Sequence, residues 1–199
     1  MRKAIIFDFD GVIHNTFDFH RAKVKEFTGV ALSESEYRDI HNGNFFAHKI
    51  DRLKDVDWPA YGGFIYHDIS NLKIEGEMEK ALLRLSKKFD LFIVSSGGTK
   101  NISDYLKNNN VAEIFKEVLG SEPHTSKIDK FKFIFSKYKL DPNDCIFITD
   151  TLGDILEANV VNIKTIAVDF GYHGREMLRK GNPFKIVSSL SELLKIIDE

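Results

Sequence analysis

Ala4-Ile5-Ile6-Phe7-Asp8-Phe9-Asp10-Gly11-Val12 is the stretch that decides the fold. Its apolar run has no polar break and then stops at a carboxylate. A half-solvated strand would alternate, whereas a short continuous run bounded by a turn suits a strand buried on both faces. Three further runs read the same way: Leu91-Phe92-Ile93-Val94, Cys145-Ile146-Phe147-Ile148 and Thr165-Ile166-Ala167-Val168. Ile186-Val187 is weaker and reads as an edge strand. Segments of helical period separate the runs: Glu77 to Phe89, Asn101 to Leu106, Lys127 to Leu140, Asp154 to Val161 and Ser191 to Ile197. Strand alternating with helix predicts an α/β fold, a parallel sheet with helices on both faces.

Residues 15–74 break this rhythm and are richer in His, Asn and aromatic residues. Thr16 to Phe27 reads as a helix, Ser33-Glu34-Ser35-Glu36 as the capping box of a second, and Phe45 to Leu53 as a third. Pro59 and Gly62-Gly63 then read as chain breaks. The segment is expected to form a small helical cap domain inserted after the first strand. The catalytic core would be residues 1–14 and 75–199. The competing reading makes these helices ordinary crossovers of the same layer.

The 199 residues carry 28 Lys+Arg against 30 Asp+Glu, a formal charge of −2, with 43% apolar and 29% charged residues. That balance excludes a wholly disordered chain. The length suits one domain, or one core with a small insert. Without a general basic field, nucleic acid is not an expected partner. No stretch approaches the roughly 20 apolar residues of a membrane helix, so no membrane partner is expected either. The run Ala4 to Phe7 is too short for a signal peptide. The single cysteine, Cys145, forbids an intrachain disulfide and suits a reducing compartment. A cytoplasmic protein is expected, and its oligomeric state is not readable. Cys145 falls in an expected buried strand and reads as core.

Polar residues end the runs: Asp8, Ser95, Thr149-Asp150 and Asp169. In an open parallel sheet, ligands bind outside the carboxyl ends of the strands, so these groups are expected on one rim. Asp8 and Asp10, two residues apart, can reach one site while Phe9 points away, and Gly11 permits a sharp exit. They read either as an acidic turn or as a nucleophile with an acid/base partner. A carboxylate can attack phosphorus, and its neighbour can protonate the leaving oxygen and then activate water. Ser95-Ser96-Gly97-Gly98-Thr99 is either a flexible turn capped by Thr99 or a set of backbone N–H groups open to an anion. Lys127, in a helix's first turn, opposes the dipole and calls for a compensating anion, unless it is one surface lysine among several. Asp150 and Asp154 straddle a turn into a helix and suit Mg²⁺, which takes one or two carboxylates and keeps several waters. They also suit a plain turn residue and N-cap. Four converging carboxylates could not all stay ionised without a cation; Mg²⁺ and Lys127 would supply it.

In this order the segments resemble the haloacid dehalogenase superfamily. Its first motif is similar to Asp8-Phe9-Asp10-Gly11-Val12, its second to Ser95 after an apolar run, its third to Lys127, and its fourth to Asp150 and Asp154. The resemblance implies a Rossmann-like core and Mg²⁺-dependent phosphoryl transfer, in the helical-cap phosphatase subclass. It implies Asp8 as nucleophile and Asp10 as acid/base. Ser95, Ser96, Gly97 and Lys127 would hold the phosphoryl group. The metal would be held by Asp8, Asp10 through its carbonyl, Asp150 and Asp154, the last as ligand or orienter. Lys130 is a nearby rival to Lys127. Ile13-His14-Asn15-Thr16 departs from the family pattern, and His14 reads as facing the leaving group or as structural.

The expected function is therefore a Mg²⁺-dependent phosphatase acting on a small phosphorylated metabolite through an aspartyl-phosphate. A sugar-phosphate mutase is the alternative. A dehalogenase, a phospho-accepting receiver and an inactive binding protein fit less well. Asp10 argues against a dehalogenase, which needs no proton shuttle there. Arg21, Lys23, Lys25, His41, His48, Lys49 and Arg52 could give the insert a basic inner face for an anionic substrate, or merely a solvated one. Trp58 and Tyr61 could stack on a ligand or serve as packing. The histidines show no paired spacing for zinc.

Overall fold

The structure is a computed structural model that describes residues 4–47, 51–122 and 124–198. Six strands form one sheet: β1 Ala4–Phe7, β2 Asp90–Val94, β3 Phe115–Leu119, β4 Cys145–Thr149, β5 Lys164–Val168 and β6 Lys185–Val187. The order is β3-β2-β1-β4-β5-β6 and every pairing is parallel. Alternation within each strand feeds two cores. Ile5, Phe7, Leu91, Ile93, Ile146 and Ile148 face one layer, while Ala4, Ile6, Phe92, Val94, Cys145 and Phe147 face the other. Both faces are covered, which is why the runs carry no polar alternation.

Helices α4 (Gly76–Leu85), α5 (Thr99–Asn108) and α9 (Leu190–Asp198) send Leu82, Tyr105 and Leu193 into the first core. Helices α6 (Lys127–Tyr138) and α7 (Leu152–Val160) send Phe131, Ile134 and Ala158 into the second. A short α8 covers Arg175–Arg179. Strand order reverses at β1, with β2 on one side and β4 on the other. Phe7 pairs with both Ile93 and Ile148. Asp8, Ser95 and Asp150 therefore leave the sheet at the same edge, where a crevice opens in folds of this topology.

Three elements depart from the sequence reading. Phe115-Lys116-Glu117-Val118-Leu119 forms β3, although its charged pair hides the strand period. It is an outer strand bonded only to β2, so Lys116 can stay in solvent. Pro59 and Gly62-Gly63 do not break the chain; they lie inside α3, Trp58–Ser70. The Asp57 carboxylate accepts the Ala60 N–H at 3.0 Å and caps this helix. Proline in a first turn costs no hydrogen bond. The helix expected over Phe45 to Leu53 is absent from the described residues. The Asn44 carbonyl Oδ1 takes the N–H groups of Phe46 and Ala47 instead, a turn that competes with helix. Asp51–Leu53 makes one 3₁₀ turn, and residues 48–50 lie outside the described residues.

The remaining helices of the 15–74 segment are as read: α1 Phe17–Thr28 and α2 Glu34–Asp39, the latter with the Ser33–Glu36 capping box formed. Val24, Tyr37, Ile65 and Ile69 join the same apolar cluster as Ile5 and Phe7. α3 lies along α5. Asn101 Nδ2 donates to the Gly62 carbonyl at 2.9 Å, and Tyr66 donates to Asp104 at 2.7 Å. No helix among the described residues is long and apolar enough to cross a membrane.

Candidate active site

Asp8 sits one residue past β1, fixed by its N–H donating to Ile148 O at 2.8 Å. Its Oδ1 accepts the Phe9 N–H at 2.7 Å, and its Oδ2 accepts from Lys127 Nζ at 2.8 Å. Phe9 points the other way, into Tyr105, with ring centroids 4.9 Å apart. Lys127 is buried and also donates to Asp154 Oδ2 at 2.6 Å. Its backbone N–H and the Ser126 hydroxyl both donate to Glu157 Oε1 at 3.0 Å. The anion that a first-turn lysine calls for is thus supplied by the protein's own carboxylates. Lys130, the rival, turns elsewhere: its Nζ donates to the Ser95 carbonyl at 2.6 Å.

Burial pulls the Lys127 ammonium down, but the Asp154 and Asp8 carboxylates outweigh it and hold it above the ordinary range. Burial pushes Asp8 well up, against Lys127, with Asp154 and Asp150 adding repulsion. Asp150 is pushed up to about 8, again by burial, which the Tyr172 N–H only partly offsets. Asp154 moves the other way: its buried carboxylate is held low by Lys127 and by the hydrogen bonds it accepts, including one from Thr149 Oγ1 at 2.6 Å.

A divalent cation fits this end of the cleft. Asp150 is buried; its Oδ2 accepts the Tyr172 N–H at 2.6 Å, but its buried Oδ1 has no hydrogen-bond partner. An orphaned buried carboxylate oxygen is costly. A Cβ at Gly11 or Gly171 would overlap this carboxylate, so both glycines form its cradle; Gly11 also holds φ +73°. No three His, Cys, Asp or Glu side chains among the described residues converge as a metal cage. The side-chain donors that fit are the Asp8 and Asp150 carboxylates, hard oxygens that suit Mg²⁺. Asp154 is turned to Lys127 and Thr149, an orienting position.

Asp10 is half-buried, and its Oδ1 accepts from Thr16 Oγ1 at 2.6 Å and from His20 Nε2 at 3.1 Å. The other ring nitrogen of His20, Nδ1, lies 2.8 Å from the Tyr61 hydroxyl. Burial raises the Asp10 carboxyl, but His20 and Thr16 prevail and lower it. Thr16 and His20 share one face of the chain entering α1, four residues apart. That spacing was a usable signal, as was Tyr61 on α3. Tyr172, whose hydroxyl is 3.1 Å from Thr16 Oγ1, carried none.

Ser95 is buried, and its Oγ accepts the Gly97 N–H at 3.0 Å. Ser95, Ser96 and Gly97 line the same cavity as Asp8, Asp10, Lys127 and Asp154. Gly98, not Thr99, is the cap of α5. Two expected contributors are elsewhere. Asp169 accepts from Arg175 Nε at 3.0 Å and from Ser188 Oγ at 2.8 Å, away from the rim groups. His14 lies 3.0 Å from the Tyr105 hydroxyl and does not line the cavity, which is the structural reading.

The cavity holds about 540 Å³ between this rim and the 15–74 segment. No basic inner face forms there among the described residues. Lys23 pairs with Asp68 at 2.6 Å, Arg21 with Asp18 at 3.4 Å, and Arg52 with Glu36. None of these, nor Lys25, lines the cavity, whereas His41, Trp58 and Tyr61 do. Burial lowers His41 to about 3, so it stays neutral. His48 and Lys49 lie outside the described residues.

A family model described as haloacid dehalogenase-like hydrolase matches residues 5–168. Among curated relatives, a phosphoglycolate phosphatase of Vibrio vulnificus is 24% identical over 112 residues, covering 55% of this chain and 49% of its own. One of Haemophilus influenzae is 21% identical over 182 residues, covering 87% and 72%. The chain thus spans about half the length of the first of these. A haloacid dehalogenase-like family hydrolase of Streptococcus pneumoniae has the same fold, with a TM-score of 0.77, 23% identity and 98% coverage of both chains. With the family model covering most of the chain, this protein belongs to the haloacid dehalogenase-like hydrolase family.

Proposed function

We propose that the chain is a phosphatase of small phosphorylated metabolites that works through an aspartyl-phosphate on Asp8, with Mg²⁺ as its cofactor. The observation that carries this is the meeting of Asp8, Asp10, Lys127 and Ser95 in one cavity at the strand-order reversal. Asp8 Oδ2 is the attacking atom. Lys127 Nζ, already within 2.8 Å, stays beside it and balances the charge of an incoming phosphoryl group. Ser95, Ser96 and Gly97 line the path of the phosphoryl oxygens, with the Gly97 N–H holding the Ser95 hydroxyl in place. Asp10, held low and so ionised at rest, takes up a proton from solvent or from the His20 ring it faces, passes it to the leaving oxygen, and then takes one from the attacking water. Thr16 and His20 keep that carboxyl aimed while it changes charge. Mg²⁺, held by Asp8, Asp150 and the Asp10 carbonyl, would neutralise phosphoryl charge.

Residues 15–74 act in this reading as a helical cap over a core of residues 1–14 and 75–199, excluding water from the first displacement. The single buried cysteine suits work in the cytoplasm. The test is phosphate release from a panel of phosphomonoesters in Mg²⁺, repeated with chelator. Asp8→Asn is expected to abolish turnover with the circular dichroism spectrum unchanged, and Asp10→Asn to cut kcat by at least 100-fold, the usual scale of acid–base catalysis. An active Asp8→Asn protein refutes the assignment.

A further inference from the structure

The cavity has two chemically different ends. One is the carboxylate and lysine rim. The other, beneath α3 and the turn after Gly43, is built of half-buried rings: Phe45, Phe46, Trp58 and Tyr66. Phe45 and Trp58 meet at 4.8 Å and 66°, and Trp58 meets buried Tyr61 at 5.6 Å and 85°. These are edge-to-face contacts, which do not stack one ring's face on the next. Besides Lys127, the cationic side chain lining the cavity among the described residues is Lys100, which pairs with Asp104 at 2.7 Å and lies 3.7 Å over the Tyr66 ring at the edge of this end. Glu122 adds a negative group to the same wall.

A two-carbon acid phosphate such as phosphoglycolate would leave most of about 540 Å³, including the ring wall, filled by water. Cavities of this size accept ligands well beyond a two-carbon acid. Resting on the phosphatase reading of the rim, we infer that the substrate is a small phosphomonoester whose leaving alcohol carries an uncharged aromatic ring, seated against Trp58, Phe45 and Phe46. Attack by Asp8 breaks the P–O bond, the alcohol oxygen takes its proton from Asp10, and the ring holds the departing group until water cleaves the acyl phosphate.

The test compares benzyl phosphate, ethyl phosphate and 2-phosphoglycolate in Mg²⁺. The first two share the same carbon–oxygen–phosphorus linkage and differ in the ring. Benzyl phosphate is expected to exceed both others at least tenfold in kcat/KM. Trp58→Ala should shrink the benzyl-to-ethyl ratio at least fivefold, mainly through KM, and Trp58→Phe should keep most of it. Phe46→Ala serves the same purpose should Trp58→Ala fail to fold. A second readout needs no turnover. Trp58 is the only tryptophan, so benzylphosphonate should change its fluorescence saturably, at concentrations at least tenfold below methylphosphonate. Hydrolysis of all three esters with 2-phosphoglycolate preferred, or an unaltered ratio in Trp58→Ala, overturns the ring site and leaves the phosphatase reading intact. Benzylphosphonate binding without hydrolysis of any ester supports the ring site and overturns the phosphatase reading. Neither binding nor hydrolysis overturns both.

Discussion

Replacing Lys127 with methionine tests the charge arrangement directly. The side chain is buried, with Nζ 2.8 Å from Asp8 and 2.6 Å from Asp154. Methionine keeps much of the volume and removes the charge, leaving two adjacent buried carboxylates facing each other. Breaking one partner of a buried ion pair costs about 3–5 kcal/mol, because the remaining charge stays desolvated. For a chain of this size each kcal/mol moves Tm by roughly 2–4 °C, so the fall should be roughly 6–20 °C. That is a large part of the roughly 5–15 kcal/mol that holds a domain together. The assay is thermal unfolding in chelator, followed by circular dichroism. Adding Asp154→Asn should recover at least a third of the loss. The amide still accepts from Thr149, and one buried charge is gone, so the two substitutions should couple rather than add. Mg²⁺ should raise Tm of the wild-type protein through binding linkage. A single-variant fall below about 2 °C, or additive losses in the double variant, would refute the view that Lys127 neutralises this cluster.

Other perturbations read other parts of the site. Gly11→Ala should cost at least about 1 kcal/mol from its positive φ alone, and should weaken Mg²⁺ binding in calorimetry, since its Cβ displaces the Asp150 carboxylate. Chelation should stop phosphate release and readdition of Mg²⁺ should restore it. Lys130 is pulled down to about 8 by burial and by Lys127. Its folded pKa lies below its unfolded one, so its contribution to stability is present above the unfolded value and is lost as pH falls through about 8. The Tm difference between wild type and Lys130→Met should therefore move in favour of wild type as pH rises from 8 toward 10. A ¹³C titration of the Lys130 side chain centred near the ordinary lysine value would contradict this.

The sheet was legible wherever burial on both faces enforces an unbroken apolar run, as in Ala4 to Phe7. It was illegible at β3, because a strand paired on one side tolerates Lys116 and Glu117. Strand ends were a good guide to the rim for Asp8, Ser95 and Asp150 but not for Asp169. A carboxylate after a strand is equally able to bind a neighbouring arginine, and Arg175 follows six residues on. Helix α3 is hidden in the sequence because Pro59 and the glycine pair carry breaker signals, whereas the Asp57 cap that starts the helix lets proline sit in its first turn.

More than a helix lies behind those breaker signals. α3 carries Trp58 and Tyr61 into the cavity and sets Tyr61 against His20, which in turn holds Asp10. On the proposed phosphatase reading, Asp8, Ser95 and Asp150 serve the phosphoryl unit, and they were readable because each follows a buried run at short range. The groups that hold Asp10 and shape the far wall come from residues 16–66, where no strand period guides the eye and tertiary packing decides what faces inward. The chemistry at the rim is therefore compatible with many esters, and the aromatic wall is where this chain makes its choice among them.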